Sequence, residues 1–307
     1  MRAAQKLGVT AKDVEAVLKY MESRRDDRFV NERISLNVTG PAPAWDREQF
    51  WFVLLGCLLT SQQRSTTGSP VDRFLNPKDF ALTLPGCASN TEATVREVLT
   101  IFGGIRFAPT IARRAASNLG WLEERGWAEV ENWFRRLAQQ RARAALPTDT
   151  ANERCAARFA AAELDGIGPK QGRNLWQWLG LTRYEIPLDS RVAKWINKHL
   201  SVRVDKDQLP GHLYYEMILD YVQAVCAGAN VLPCVFDAAA FDDSDTGESA
   251  ARARRERGAS VGTAPVTDAR TLMTAERFGR CGLTSSATVS RTGENGREPS
   301  VAHDDCT

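Results

Sequence analysis

Leu164-Asp165-Gly166-Ile167-Gly168-Pro169-Lys170-Gln171-Gly172-Arg173-Asn174-Leu175-Trp176-Gln177-Trp178-Leu179-Gly180 is the stretch on which the fold turns, followed shortly by Ile186-Pro187-Leu188-Asp189-Ser190-Arg191-Val192. Two glycines bracket one apolar residue and a proline comes next. Proline suits the first position of a helix, where its missing N–H costs no bond. The pattern therefore reads as a helix over about 150–163, a tight turn on Gly166 and Gly168, and a second helix over about 169–179. Both glycines are expected to turn the backbone with positive φ and to leave their amides bare.

Bare amides at a helix N-terminus make a phosphate seat that needs no basic side chain. A sequence-independent grip on a nucleic-acid backbone uses such contacts. Lys170 sits one residue inside the second helix, where the positive end of the dipole is a poor neighbour for an ammonium. A free amine is what nucleophilic lysine chemistry requires. Asp189 stands just before Ser190-Arg191-Val192-Ala193-Lys194-Trp195-Ile196 and is placed to cap that helix, taking amide hydrogen bonds that keep it ionised. An ionised carboxylate beside a reacting sugar can stabilise an oxocarbenium-like centre or relay a proton. Alone, a lysine early in a helix reads as a solvated charge and an aspartate before one as an ordinary cap. Together, 19 residues apart, they carry the functional reading.

Working outward, the chain reads as nearly all helix. Thr10 caps a helix with Val14, Leu18 and Met21 on one face, and Gly40-Pro-Ala-Pro-Ala-Trp45 is a breaker. An apolar helix follows from about Asp46 to Leu59 and ends in Thr60-Ser-Gln-Gln-Arg-Ser65. Further helices are expected at about 90–102, 108–119, 127–142, 190–199 and 213–227. Period-2 alternation is scarce, so no sheet is expected. The fold class is mainly all-α, two helical subdomains flanking a cleft. The domain division is 1–44 as an N-terminal helical extension, 45–241 as the main domain with its hairpin at 150–180, and 242–307 as a disordered tail. That last segment has one aromatic residue, Phe278, and is rich in Ser, Thr, Gly, Arg and Glu. Such a composition cannot bury enough apolar surface to offset its ordering entropy.

The bulk numbers bound the function. With 307 residues there is enough chain for one large domain or two small ones. Net charge is +2, and residues 242–307 hold 9 Arg against 11 Asp and Glu, leaving +4 in 1–241. A nucleic-acid partner must then meet a local basic face. Seven cysteines, none in C-x-x-C spacing, give no zinc cage, no disulfide framework and no iron–sulfur ligand set. No apolar run approaches a membrane span. The N-terminus has no secretory pattern, so the expected compartment is the cytoplasm.

Leu-x-Gly-Ile-Gly-x-Lys with an Asp in a Pro-Leu-Asp-Ser context resembles the helix-hairpin-helix DNA glycosylase superfamily, over roughly 45–241 and most closely over 164–192. It looks most like the 8-oxoguanine and endonuclease III branches. Endonuclease III's cysteine cluster is absent after Asp189, and a compact prokaryotic 8-oxoguanine DNA glycosylase/AP lyase is the better fit. The resemblance implies that Gly166 and Gly168 grip a phosphate, that Lys170 is the Schiff-base nucleophile, and that Asp189 supports it. It also implies that Gln62 or Gln63, at the end of the apolar helix, fills the gap left by an extruded base. No cofactor is implied. The partner would be duplex DNA carrying a damaged base, and the chain is expected to act as a monomer.

Trp178 and Gln223 are candidates for the base pocket, Gln223 as a neutral amide within an apolar helix. Trp176 and Trp195 read as core. Two alternatives stand beside the oxidised-purine reading: a glycosylase for oxidised pyrimidines or alkylated bases, and a non-enzymatic hairpin module that only anchors DNA.

Overall fold

The computed structural model describes residues 7–241 apart from 62, 64, 66, 67, 77, 79 and 144–148. The expected tail 242–307 and Gln62 lie outside the described residues. Among the described residues there is helix, turn and loop but no strand, as an all-α chain requires.

In chain order α1 is Ala11–Glu22, and α2 is Arg28–Arg33, which runs into a π-helical turn at Ile34–Thr39. Then come α3 (Arg47–Leu59), the short α4 (Pro70–Phe74) and α5 (Leu84–Cys87), and α6 (Thr91–Phe102). Helix α7 (Ala108–Trp121) passes through a second π-helical turn, Leu122–Gly126, into α8 (Trp127–Arg141). The rest are α9 (Asp149–Glu163), α10 (Pro169–Trp178), α11 (Ser190–His199), α12 (His212–Gly228) and α13 (Pro233–Phe241). The longer helices fall where apolar spacing places them. The short α2, α4, α5 and α13 carry too few turns to show a period.

Two apolar cores organise these helices. The first is centred on α3, whose residues from Phe50 to Leu59 are apolar on every side and buried on nearly every side. Each large side chain there contributes roughly 1.5–3 kcal/mol. Helices α6 to α10 pack around it. The second core joins Ile186, Val192 and Ile196 to Tyr215, Leu219 and Phe236, and it takes in Val17 of α1. Residues near the start of the chain are therefore built into the same core as α11 to α13. The tie is polar as well. Asp13 closes a capping box with Thr10 and accepts from the Ser201 amide and hydroxyl, at 2.8 Å each.

A network of charges stitches the two cores together. Arg173 of α10, fully buried, donates to Glu185 at 2.8 Å and stacks on the Tyr215 ring at 4.4 Å. Arg154 of α9 reaches Glu185 at 2.9 Å and Asp220 of α12 at 2.5 Å, while Arg158 holds Glu216 at 2.6 Å. Buried pairs of this kind add little net stability, but removing one partner strands a charge and is costly. The network's main effect is geometric: it fixes α10 against the segment leading to α11. Among the described residues no single helix is long and apolar enough to cross a membrane.

Candidate functional site

The turn between α9 and α10 is a built hairpin. Gly166 has φ +82, and a Cβ there would come within 2.5 Å of Arg114 Cδ, so only glycine fits. Gly168 differs from the sequence expectation. Its φ is −95, an extended N-cap that any residue could adopt, and a Cβ on it would meet nothing within 4 Å. Positive φ at Gly166 alone makes the turn. What Gly168 provides is open space before the first-turn amides of α10, which no side chain caps. From α7, Asn118 clamps the turn from both sides, donating to the Asp165 carbonyl at 3.1 Å and accepting from the Asp165 amide at 2.7 Å. Gly172 lets α10 lie close on α9, where a Cβ would stand 2.5 Å from the Ala157 carbonyl oxygen.

Lys170 is half-buried at the second position of α10. Among the described residues its amine has no hydrogen-bond or ion-pair partner, so it is uncommitted. Its charge reaches both Asp189 and the thiol of Cys57 on α3. Burial pushes Cys57 up to about 12, with Lys170 and the Asn174 amide offsetting only part of that, so this thiol stays protonated.

Asp189 caps α11, accepting from the amides of Arg191 at 2.8 Å and Val192 at 3.0 Å. Burial alone would raise its pKa. The Arg191 charge and hydrogen bond, the nearby Lys170 and the Val192 amide more than offset this and hold it below its ordinary value. The approach to Asp189 is also fixed. Tyr215 takes the Leu188 amide at 2.5 Å and donates to the Ile186 carbonyl at 3.1 Å, and Glu153 collects the amides of residues 183 to 185. Lys170 thus lies within electrostatic reach of Asp189, and the Arg173–Glu185 pair ties their two segments together.

The other sequence candidates lie elsewhere. Gln63 is folded back, donating to the Leu59 carbonyl at 2.5 Å and accepting from the Arg106 amide at 2.9 Å. Trp178 lies against α3, where a Cβ on Gly56 would be 2.7 Å from its ring. It is eight residues along α10 from Lys170, roughly 12 Å at helical rise. Gln223 has its amide committed to the Tyr184 carbonyl and to Glu185, both at 3.0 Å, so it serves the charge network. Trp176 is core, its indole donating to the Ala156 carbonyl.

Two features escape a sequence reading. Arg191 grips the carboxylate of Asp189, which looks from sequence like a simple cap. Phe107 is a bulky residue in the left-handed region, φ 61, 46% exposed and with its ring under the Arg106 guanidinium. L side chains resist that conformation, so its presence stores strain beside the Gln63–Arg106 bond. The Gly103-Gly104 pair before it, both with positive φ, is the one hint in the sequence of an unusual loop.

No known protein family model matches this sequence, and no curated protein matches it. Among solved structures the chain is similar to the crystal structure of Methanocaldococcus jannaschii 8-oxoguanine DNA glycosylase. The likeness has a TM-score of 0.50 and 16% identity, and it covers 73% of this chain and 89% of that one. At that identity it is the fold alone that is shared with that protein.

Proposed function

We propose that the protein is a base-excision DNA glycosylase with associated AP lyase activity, acting on oxidised purine, 8-oxoguanine, in duplex DNA. One observation carries this reading: an uncommitted Lys170 amine beside a glycine-built hairpin, within electrostatic reach of an ionised Asp189. The shared fold supports it.

In this reading the open amides after Gly168 seat a DNA phosphate. Unstacking a damaged nucleotide costs a few kcal/mol, which a lesion lowers. Gln63 leaves Leu59 and Arg106 to occupy the vacancy, with Gln62 the other candidate, and Phe107 wedges the neighbouring step. The Lys170 nitrogen bonds to C1′ as the glycosidic bond breaks, and the base leaves as it takes up a proton. Asp189 stabilises the positive charge that develops on the sugar and takes the proton released from nitrogen. Ring opening gives the imine, and β-elimination then breaks the strand on the 3′ side.

Borohydride reduction of a reaction on duplex carrying 8-oxoguanine tests this. A covalent protein–DNA adduct is expected, lost completely in Lys170→Gln. An adduct that persists in the variant removes Lys170 as nucleophile, and wild type that binds duplex without releasing any base leaves only the anchoring module.

A further inference from the structure

Helix α7 addresses the hairpin with two side chains. Arg114 and Asn118 are four residues apart and so share one face of the helix. Asn118 bonds the Asp165 backbone at both its carbonyl and its amide. Arg114 lies across the turn itself, since a Cβ on Gly166 would come within 2.5 Å of its Cδ and 2.8 Å of its Nε. Its stem thus covers the residue whose positive φ makes the turn. Together with residues 161 to 168, Arg114 lines an open hollow of about 560 Å³ at the hairpin mouth.

The guanidinium there is underused. An arginine carries five N–H donors. Among the described residues Arg114 makes no hydrogen bond, and its Nε is buried without a partner. Buried donors are normally satisfied. Its ion-pair partner is Asp165, whose Oδ1 stands 3.7 Å from Nε and is too far for a hydrogen bond. The two side chains are 34% and 46% exposed, and pairs so placed are worth little. Glu163, which also lines the hollow, is paired as loosely with Arg125 at 3.7 Å. Arg125 is 63% exposed and stands on the π-helical turn after α7. Arg114 differs: packing against Gly166 holds it in place while hydrogen bonding leaves it open.

Resting on the reading of the hairpin as a DNA phosphate seat, we infer that Arg114 is a side-chain ligand for that phosphate, held in reserve by Asp165. The first-turn amides of α10 meet the phosphate as fixed dipoles. A guanidinium adds a full charge and a planar pair of N–H groups that phosphate oxygens match. A chain with a net charge of only +2 needs such a local cation. In the free protein the Asp165 carboxylate stands in for the phosphate, and on binding Arg114 exchanges one for the other. The exchange is easy because the pair it breaks is long and half in water. Asp165 stays beside the phosphate, since Asn118 fixes its backbone, and so acts as a brake on affinity for any duplex.

Duplex binding by the full chain, followed by anisotropy across a salt series, tests this. Each phosphate contact adds about 0.9 to the slope of log affinity against log salt. Arg114→Gln is expected to make that slope shallower by about 0.9 and to weaken binding roughly 10-fold at low salt. Arg114→Lys keeps the charge and should keep the slope, though without the planar fork it binds less tightly. Asp165→Asn should tighten binding severalfold, and most of that gain should vanish when Arg114→Gln is also present. A carboxylate that merely repels DNA would give an equal gain in both backgrounds, which overturns the exchange. So does a folded Arg114→Gln protein with the wild-type slope. Asp165→Asn that binds no tighter than wild type overturns it too, even if Arg114→Gln fails to fold. These results leave the phosphate seat standing, whereas wild type that binds no duplex at any salt removes the seat and the exchange together.

Discussion

Arg191 holds Asp189 through both ends of its guanidinium edge, Nε at 2.7 Å and Nη2 at 2.5 Å on one carboxylate oxygen. The other oxygen is left to cap α11 through the amides of Arg191 and Val192. The carboxylate proposed for the supporting role is thus constrained on both oxygens, and Arg191 is a positioning residue for it.

Removing that partner should be visible in a pH profile. The pKa of Asp189 lies below its ordinary value, with Arg191 the largest influence offsetting burial. Arg191→Leu is expected to raise it. The acid limb of the excision rate should then move to higher pH, while Lys170 remains trappable at high pH. An unshifted acid limb would mean that Arg191 serves only the helix cap.

The two hairpin glycines should respond differently. Gly166→Ala meets both positive φ and the Arg114 side chain, and is expected to cost about 1–3 kcal/mol in unfolding free energy. Gly168→Ala enters open space and should leave the melting temperature almost unchanged. It places a methyl group where a phosphate would approach, so duplex binding measured by anisotropy should weaken severalfold. Equal binding by Gly168→Ala and wild type would move the phosphate seat elsewhere.

Phe107→Gly relieves a left-handed strain of about 1 kcal/mol, so stability should hold or rise slightly. Excision from fully paired duplex should fall roughly 10-fold, and less from a lesion in a mismatched bubble, where unstacking is already cheaper. A uniform loss on both substrates would contradict the wedge.

Acid should unlock the tie between α1 and the second core. Burial disfavours the Asp13 carboxylate, but bonds from Thr10 and Ser201 outweigh it and bring its pKa below the ordinary 3.8. A group depressed in the folded state stabilises above its unfolded pKa, and that contribution drains away as pH falls below about 4. Asp13→Asn is expected to cost about 1 kcal/mol at pH 7 and progressively less below pH 4, followed by chemical denaturation. A difference that does not change with pH would exclude the charge as the source.

Much of the fold was legible because long helices write their period into sequence. Helices α6 to α12 begin and end within a residue or two of where Pro, Gly and capping side chains place them. The hairpin was equally plain, since its glycine, proline and lysine are neighbours in the chain. Gly168 is harder to read, because sequence shows that a residue lacks a side chain but not whether strain or approach is the reason. Gln223 looked like a free amide in an apolar helix. Its partner Glu185 lies 38 residues away and could not be anticipated.

By itself the sequence determined the all-helical class, the hairpin and the pairing of Lys170 with Asp189 as candidates, since each rests on local spacing and residue chemistry. Only the tertiary structure decided that Lys170 lies within electrostatic reach of Asp189 and that α1 joins the second core. Those relations depend on which helix faces meet and on charges desolvated between them. Burial and long-range contact set them, and no local periodicity encodes either.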